Sequence, residues 1–182
     1  MARGKPWTRE ELIVAYALYC MIPFSKLNNS NRTIKDAAEI IGRSPAALKM
    51  KICNLAALDP DFLATGRVGL WGGISKLDRE IYEEFSKDWE GLSTKAENIV
   101  GLPLFDLTEP VYNGDPHRKK SYAEIADKQA RKFFRKSVIS AYEGRCCITG
   151  QSIPQMVIAS HIKPYYVCDK SERANPANGL LL

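Results

Sequence analysis

Apolar positions recur at helical spacing through the first hundred residues of this chain and shift to short alternating runs near its end. Thr8-Arg9-Glu10-Glu11 has the form of a capping box: a hydroxyl for the first amides and a glutamate three residues on to reach back. Leu12, Ile13, Tyr16 and Tyr19 then fall on one helical face. Thr33-Ile34-Lys35-Asp36 opens a second predicted helix, with Ala37, Ile40 and Ile41 as its stripe and Gly42 just past its end. Ser44 as N-cap and Pro45 at the first helical position start a third. Its buried side should hold Leu48, Ile52 and Leu55, leaving Lys49, Lys51 and Asn54 more exposed. Asp59-Pro60 ends that unit, and residues 61–74 are glycine-rich and irregular. Ser75 then caps a helix on which Leu77, Ile81, Phe85 and Trp89 recur every four residues, the spacing of a core-facing stripe that closes the helical domain.

The helices flanking Gly42-Arg43-Ser44 fit a helix-turn-helix. Such a unit lays its second helix in the major groove of DNA, where Lys49 and Lys51 would meet phosphates or guanine and Asn54 would meet adenine.

Residues 101–120 carry three prolines and two glycines, show no periodicity and end in Arg118-Lys119-Lys120, the composition of an interdomain linker. His117 within it has no ligand or carboxylate at helical or hairpin spacing and receives no role. A further capping box, Ser121-Tyr122-Ala123-Glu124, opens a helix that can run to Tyr142 before Gly144. Ile125, Phe133, Phe134, Val138 and Ile139 are its apolar members, and Lys128, Arg131, Lys132, Arg135 and Lys136 form a basic side suited to tracking phosphates. Next come Arg145–Gly150, a turn at Gln151–Gln155, and Met156–Ile162, read as a β-hairpin whose second strand delivers His161 at its end. Seventeen positions later stands Asn178, followed by Gly179. The fold class is therefore α+β: a helical domain over 1–100, a linker over 101–120 and a smaller module over 121–182.

Charge sharpens this division. Residues 1–51 carry nine Lys/Arg against four Asp/Glu, residues 52–115 five against twelve, and residues 116–182 twelve against five. Two basic blocks around an acidic middle suggest two surfaces for a polyanion. The five cysteines have no framework spacing, Met1–Trp7 lacks the apolar core of a signal peptide, and no apolar run approaches the roughly 18 residues that span a membrane. A reducing cytoplasm with free thiols is the expected setting.

Cys147-Ile148-Thr149-Gly150, Ser160-His161-Ile162-Lys163-Pro164 and Asn175-Pro176-Ala177-Asn178-Gly179-Leu180 together resemble the HNH endonucleases, in the restriction-type branch with these strand-end and asparagine motifs. The resemblance is detailed over residues 129–182. Upstream, Trp7–Leu12, Gly42–Pro45 and Asn54–Pro60 look like the helical domain that such enzymes often carry. The resemblance implies a ββα-metal finger and a metal-dependent DNA endonuclease of restriction or defence type. His161 matches the general base, a task for which imidazole, titrating at about 6.5, is suited. Asn178 matches the residue that fixes the loop and in some relatives ligates the metal. The expected cofactor is a divalent cation, Mg²⁺ with Mn²⁺ as a substitute, held in part by Asn178 and, weakly, by Ser160 where relatives often have Asp or His. Lys163 and Arg173 join the cations expected on DNA. Cys146, Cys147 and Cys168 form no Cys-x-x-Cys pair, so no structural zinc is expected. The partner is double-stranded DNA, with a homodimer on DNA as the way to cut both strands, and no membrane. The family's last metal ligand, on the helix of the finger, should lie beyond Asn178, and only four residues follow it. The chain is thus expected to be truncated inside the motif, with Asn178 at the entry to the missing helix. A non-catalytic DNA-binding or regulatory protein with a degenerate finger is the rival reading.

Overall fold

A computed structural model of the chain describes residues 5–101 and 122–182. Helix α1 (Arg9–Met21) starts at the expected box, with Thr8 Oγ1 accepting from the Glu11 amide and the Glu11 side chain returning to the Thr8 amide. It does not present one apolar face. Val14, Ala15, Ala17 and Leu18 are as buried as Leu12 and Tyr16, because α1 is the central rod of the fold and later helices surround it.

Helix α2 (Arg32–Ile40) is capped by Asn31, whose Oδ1 takes the Ile34 amide, rather than at Thr33, which lies inside its first turn. Gly42 follows it with φ +66°, where L side chains are strained, and the amides of Gly42 and Arg43 close on the carbonyls of Glu39 and Ala38. Helix α3 (Pro45–Ala56) begins on Ser44 as read from sequence and buries Leu48, Ile52 and Leu55 completely. Asp59-Pro60 follows the end of α3 and also opens a short helix α4 (Pro60–Ala64), with Asp59 as its cap. The Leu77–Trp89 stripe divides between α5 (Lys76–Phe85), capped by Ser75, and α6 (Trp89–Val100), because the Asp88 carboxylate takes the Gly91 amide and starts a new helix.

The expected linker falls outside the described residues, as does His117. Helix α7 (Tyr122–Ala141) packs against α1 and α6, and its adjacent phenylalanines face different cores. Phe133, with Ala130, completes the core of the helical body. Phe134, with Val138, Val157 and Leu181, builds a second cluster under the C-terminal module. Just beyond α7, Glu143 sits at φ +52°, held there by the Ser25 hydroxyl and by Arg67 at 2.7 Å. Burial pushes its carboxyl up, but those two partners outweigh it and leave the group below the usual carboxylate range.

The hairpin predicted over 145–162 is not the one that forms. Arg145–Gly150 is a turn rather than a strand. Strand β1 (Ala159–His161) pairs antiparallel with β2 (Gly179–Leu181), in the register Ala159 to Leu181, Ser160 to Leu180 and His161 to Gly179. The Cys147 amide docks the turn onto the Leu181 carbonyl at 2.8 Å. Asn178 consequently stands at the entry to a strand, not a helix. Between the strands lie a 3-10 turn (Tyr165–Val167), the short helix α8 (Lys170–Arg173) capped by Asp169, and a 3-10 turn (Pro176–Asn178). No helix among the described residues is long and apolar enough to cross a membrane.

Candidate functional site

Alternation along β1 separates its residues. Ala159 and His161 face α7, and Ser160 stands opposite Leu180 on the outer side, flanked by exposed Ile158, Ile162 and Leu182. The strand pair reaches α7 closely because position 179 is glycine: a Cβ there would sit 2.3 Å from Val138 Cγ2 and 2.9 Å from Phe134 Cζ.

The His161 ring is fixed on three sides. Phe134 stacks on it with centroids 3.6 Å apart and planes 13° from parallel. Tyr165 meets it edge-on at 5.4 Å. Its Nε2 lies 3.0 Å from the Arg173 carbonyl oxygen, which can only accept, so Nε2 carries the proton. In the neutral ring the lone pair is then on Nδ1.

Asn178 spends its side chain on the intervening loop. Oδ1 accepts from the Lys163 amide at 2.8 Å, while Nδ2 donates to the Lys163 carbonyl at 3.3 Å and to Cys168 Sγ at 3.2 Å. The Asn178 carbonyl also takes the Ile162 amide at 2.9 Å. The backbone following the histidine is thereby clasped at both its amide and its carbonyl.

Basic side chains gather about Tyr165. Arg131 lies over Tyr165 at 3.9 Å and pairs with Asp127 at 3.1 Å; Arg173 approaches the same ring at 5.4 Å and donates to the Cys168 carbonyl. Tyr165 donates its hydroxyl to Asp127, and burial first, then that carboxylate, pushes the phenol up. Lys163 pairs with Glu172, which raises the ammonium and, as the first cause, holds the Glu172 carboxyl low. Lys128 is exposed on α7, whereas Arg135 reaches back to the Val157 carbonyl at 3.3 Å, and Lys132 and Lys136 are half-buried. The five cations of α7 are thus not one outward row.

Two of the expected DNA contacts in α3 are interior groups. Lys51 is buried against Asp78 at 2.9 Å, and Asn54 is buried with its amide on the carbonyls of Leu70 and Gly72. The expectation that both were exposed is corrected: the 68–73 segment and the cap of α5 cover that side of α3. Lys49 remains half-exposed, beside exposed Met50. The motif residues Trp7, Glu11 and Arg43 are structural as well, with Arg43 paired to Glu11 at 2.6 Å and set over the Trp7 ring at 4.6 Å.

Sequence reasoning missed Phe134 as the partner of the histidine, along with Tyr165 and Asp127. Phe134 could be read only as an apolar member of its helix, and nothing in the spacing of Asp127, Phe134, His161 and Tyr165 announces that they meet. The Thr149 amide lies 3.4 Å from the Cys146 sulfur, and bonds from Thr149 lower its thiol. Among the described residues no group of three or more His, Cys, Asp or Glu side chains is placed to hold a metal ion.

Residues 146–182 match the family model of the HNH endonucleases. That stretch, less than half of the chain, holds β1, β2, His161 and Asn178. No curated protein and no solved structure matches the chain.

Proposed function

We propose that this protein is a DNA endonuclease in which His161 is the general base. The observation that carries the reading is the fixed tautomer of that ring. With Nε2–H committed to Arg173 and the ring held by Phe134 and Tyr165, a neutral His161 offers the Nδ1 lone pair in one direction. That nitrogen would take a proton from water as the water oxygen bonds to phosphorus; the phosphorus–oxygen ester bond breaks and the leaving oxygen is protonated from solvent. Arg131 and Arg173 set their guanidinium groups against Tyr165, whose ring meets the base edge-on, and suit the scissile phosphate, since guanidinium groups bind such oxygens in pairs. Lys49, Lys128 and Lys163 would contribute further phosphate contacts. Asn178 acts as a positioning residue for the 162–168 loop.

The expected Mg²⁺ or Mn²⁺ is poorly served by these donors. Ser160 offers one hydroxyl and Asn178 an amide oxygen already bonded to Lys163, against the near-octahedral oxygen shell that Mg²⁺ demands. These residues alone do not fit a divalent cation. The same shortage favours a second reading, a DNA-binding protein whose finger is not catalytic. A role in restriction-type defence, and two copies acting on opposite strands, accord with the resemblance.

Supercoiled plasmid incubated with the protein, with Mg²⁺ or Mn²⁺ and with EDTA, separates the readings. Nicking abolished by His161→Ala is the expected result. Retarded duplex without nicking under any condition gives the second reading, and cleavage undiminished in His161→Ala removes the histidine from the mechanism.

A further inference from the structure

Cys146 and Cys147 are neighbours in the chain, and nothing in the nuclease reading uses them. Both are free thiols; Cys147 is exposed and Cys146 is half-buried. Cys146 packs against the cluster of Phe134, Val138, Val157 and Leu181, the same cluster from which Phe134 stacks on His161. Hydrogen bonds from Thr149 first, then from the Ile148 amide, hold its thiol below the usual range. A thiolate favoured in this way and still partly open to solvent is the reactive kind of cysteine. The remaining cysteines differ. Burial pushes up the thiols of Cys20 and Cys53, and Cys168 is buried with its sulfur between the Lys163 carbonyl and the Asn178 amide.

The peptide unit that joins the two cysteines is bonded at both ends. Its carbonyl, on Cys146, accepts from the Gly150 amide at 2.9 Å and closes the turn. Its N–H, on Cys147, donates to the Leu181 carbonyl at 2.8 Å and docks the turn on β2. Consecutive Cα atoms across a trans peptide are about 3.8 Å apart, less than the roughly 4.4–6.8 Å that a disulfide spans. Joining the two sulfurs must therefore turn this peptide unit. Turning it moves the carbonyl off Gly150 and the N–H off Leu181, and draws the Cys146 sulfur out of the cluster that holds Phe134.

We infer that Cys146 and Cys147 form an oxidisable dithiol, closed to a disulfide by hydrogen peroxide, whose closure releases the 146–150 turn from β2. The Cys146 thiolate attacks one peroxide oxygen; the O–O bond breaks, and the other oxygen takes a proton and leaves as water. The Cys147 thiolate then attacks the sulfur of the resulting sulfenic acid. The S–S bond forms, the S–O bond breaks and a second water leaves. Two thiols lose two electrons and two protons, and one hydrogen peroxide becomes two waters. Strain makes such a disulfide easily reduced, so glutathione reopens it once the peroxide is gone.

The test treats the full chain with hydrogen peroxide and then with glutathione, and reads peptide mass and amide exchange by NMR rather than cleavage. The peptide holding Cys146 and Cys147 should lose the mass of two hydrogens. Exchange at the Cys147 amide should accelerate at least about tenfold. Exchange at Leu182, whose amide is bonded to Ile158, should stay as it was. Glutathione should restore both mass and exchange. Cys147→Ser, at an exposed position, should stop at a sulfenic acid on Cys146 that dimedone captures, with the amide at 147 as protected as in the untreated protein. No disulfide between these two cysteines under peroxide, or one that leaves Cys147 exchange unchanged, overturns the inference. So does equal acceleration at Leu182, which is a general loosening. None of these results bears on whether His161 cuts DNA.

Discussion

Phe134 lies face to face with His161, their ring centroids 3.6 Å apart. The contact ties a residue of a long helix to the candidate base at a strand end, so the direction of the imidazole is set by the packing of α7 as well as by the Arg173 carbonyl. Phe134→Leu keeps the site apolar but removes the stack, worth about 0.5–1.5 kcal/mol beyond burial. Nicking should fall by about tenfold or more while DNA retardation stays near wild type. Equal losses in both assays would mean that the ring only holds the fold.

Asn178→Ala removes three side-chain bonds from the 162–168 loop, each worth about 1 kcal/mol. Hydrogen exchange at the Lys163 amide should accelerate strongly, with cleavage lost in parallel. Asn178→Asp keeps the acceptor but not the donors to the Lys163 carbonyl and Cys168, so it should protect that amide while still loosening the loop. An unchanged exchange rate at Lys163 in Asn178→Ala would refute the clasp.

Gly179→Ala places a methyl group 2.3 Å from Val138 Cγ2. Overpacking of this kind costs about 1–3 kcal/mol, or a fall of roughly 2–4 °C in melting temperature per kcal/mol for a chain of this size. Adding Val138→Ala should restore part of the loss. Failure of the double variant to recover would place the strain against Phe134 instead.

Lys51 and Lys49 should part company. Lys51→Ala leaves Asp78 buried without its partner, a loss of about 3–5 kcal/mol, and denaturant melts will register it. Lys49→Ala should leave stability within about 0.5 kcal/mol and report DNA contact alone through a weaker, less salt-dependent retardation. A stable Lys51→Ala protein would contradict the buried pair.

Glu11 supplies a pH signature. Burial raises its carboxyl, but the bonds from Arg43 and the Thr8 amide prevail and hold it below 4.5. A carboxylate lowered in the folded state adds stability that is complete above its unfolded value and is lost as pH falls through the folded one. The melting temperature should therefore drop on acidification below about pH 4.5, and more shallowly in Glu11→Gln. Identical slopes in the two proteins would remove Glu11 from the acid response.

Caps were the most legible part of the chain. Thr8, Ser44 and Ser75 act as read, because an N-cap is a local contest between a side chain and three or four amides. His161 and Asn178 could also be singled out by type and spacing. What failed was long-range. Lys51 looks exposed until Asp78, far along the sequence, is folded against it, and β1 chooses Gly179–Leu181 over the nearer Arg145–Gly150 because the former carries the apolar Leu181 that α7 can cover. Phe133 and Phe134 read as two core residues; that they belong to two cores follows only from a step of roughly 100° around a helix with packing on both sides.

That step limits portability. Cutting the chain at residue 122 to transplant the strand pair and its histidine would carry Phe133 and Ala130 along with no neighbours to cover them. The excised piece would present a greasy stripe to solvent and associate through it, so a graft onto another scaffold must bring a matching groove or recode that side of the helix.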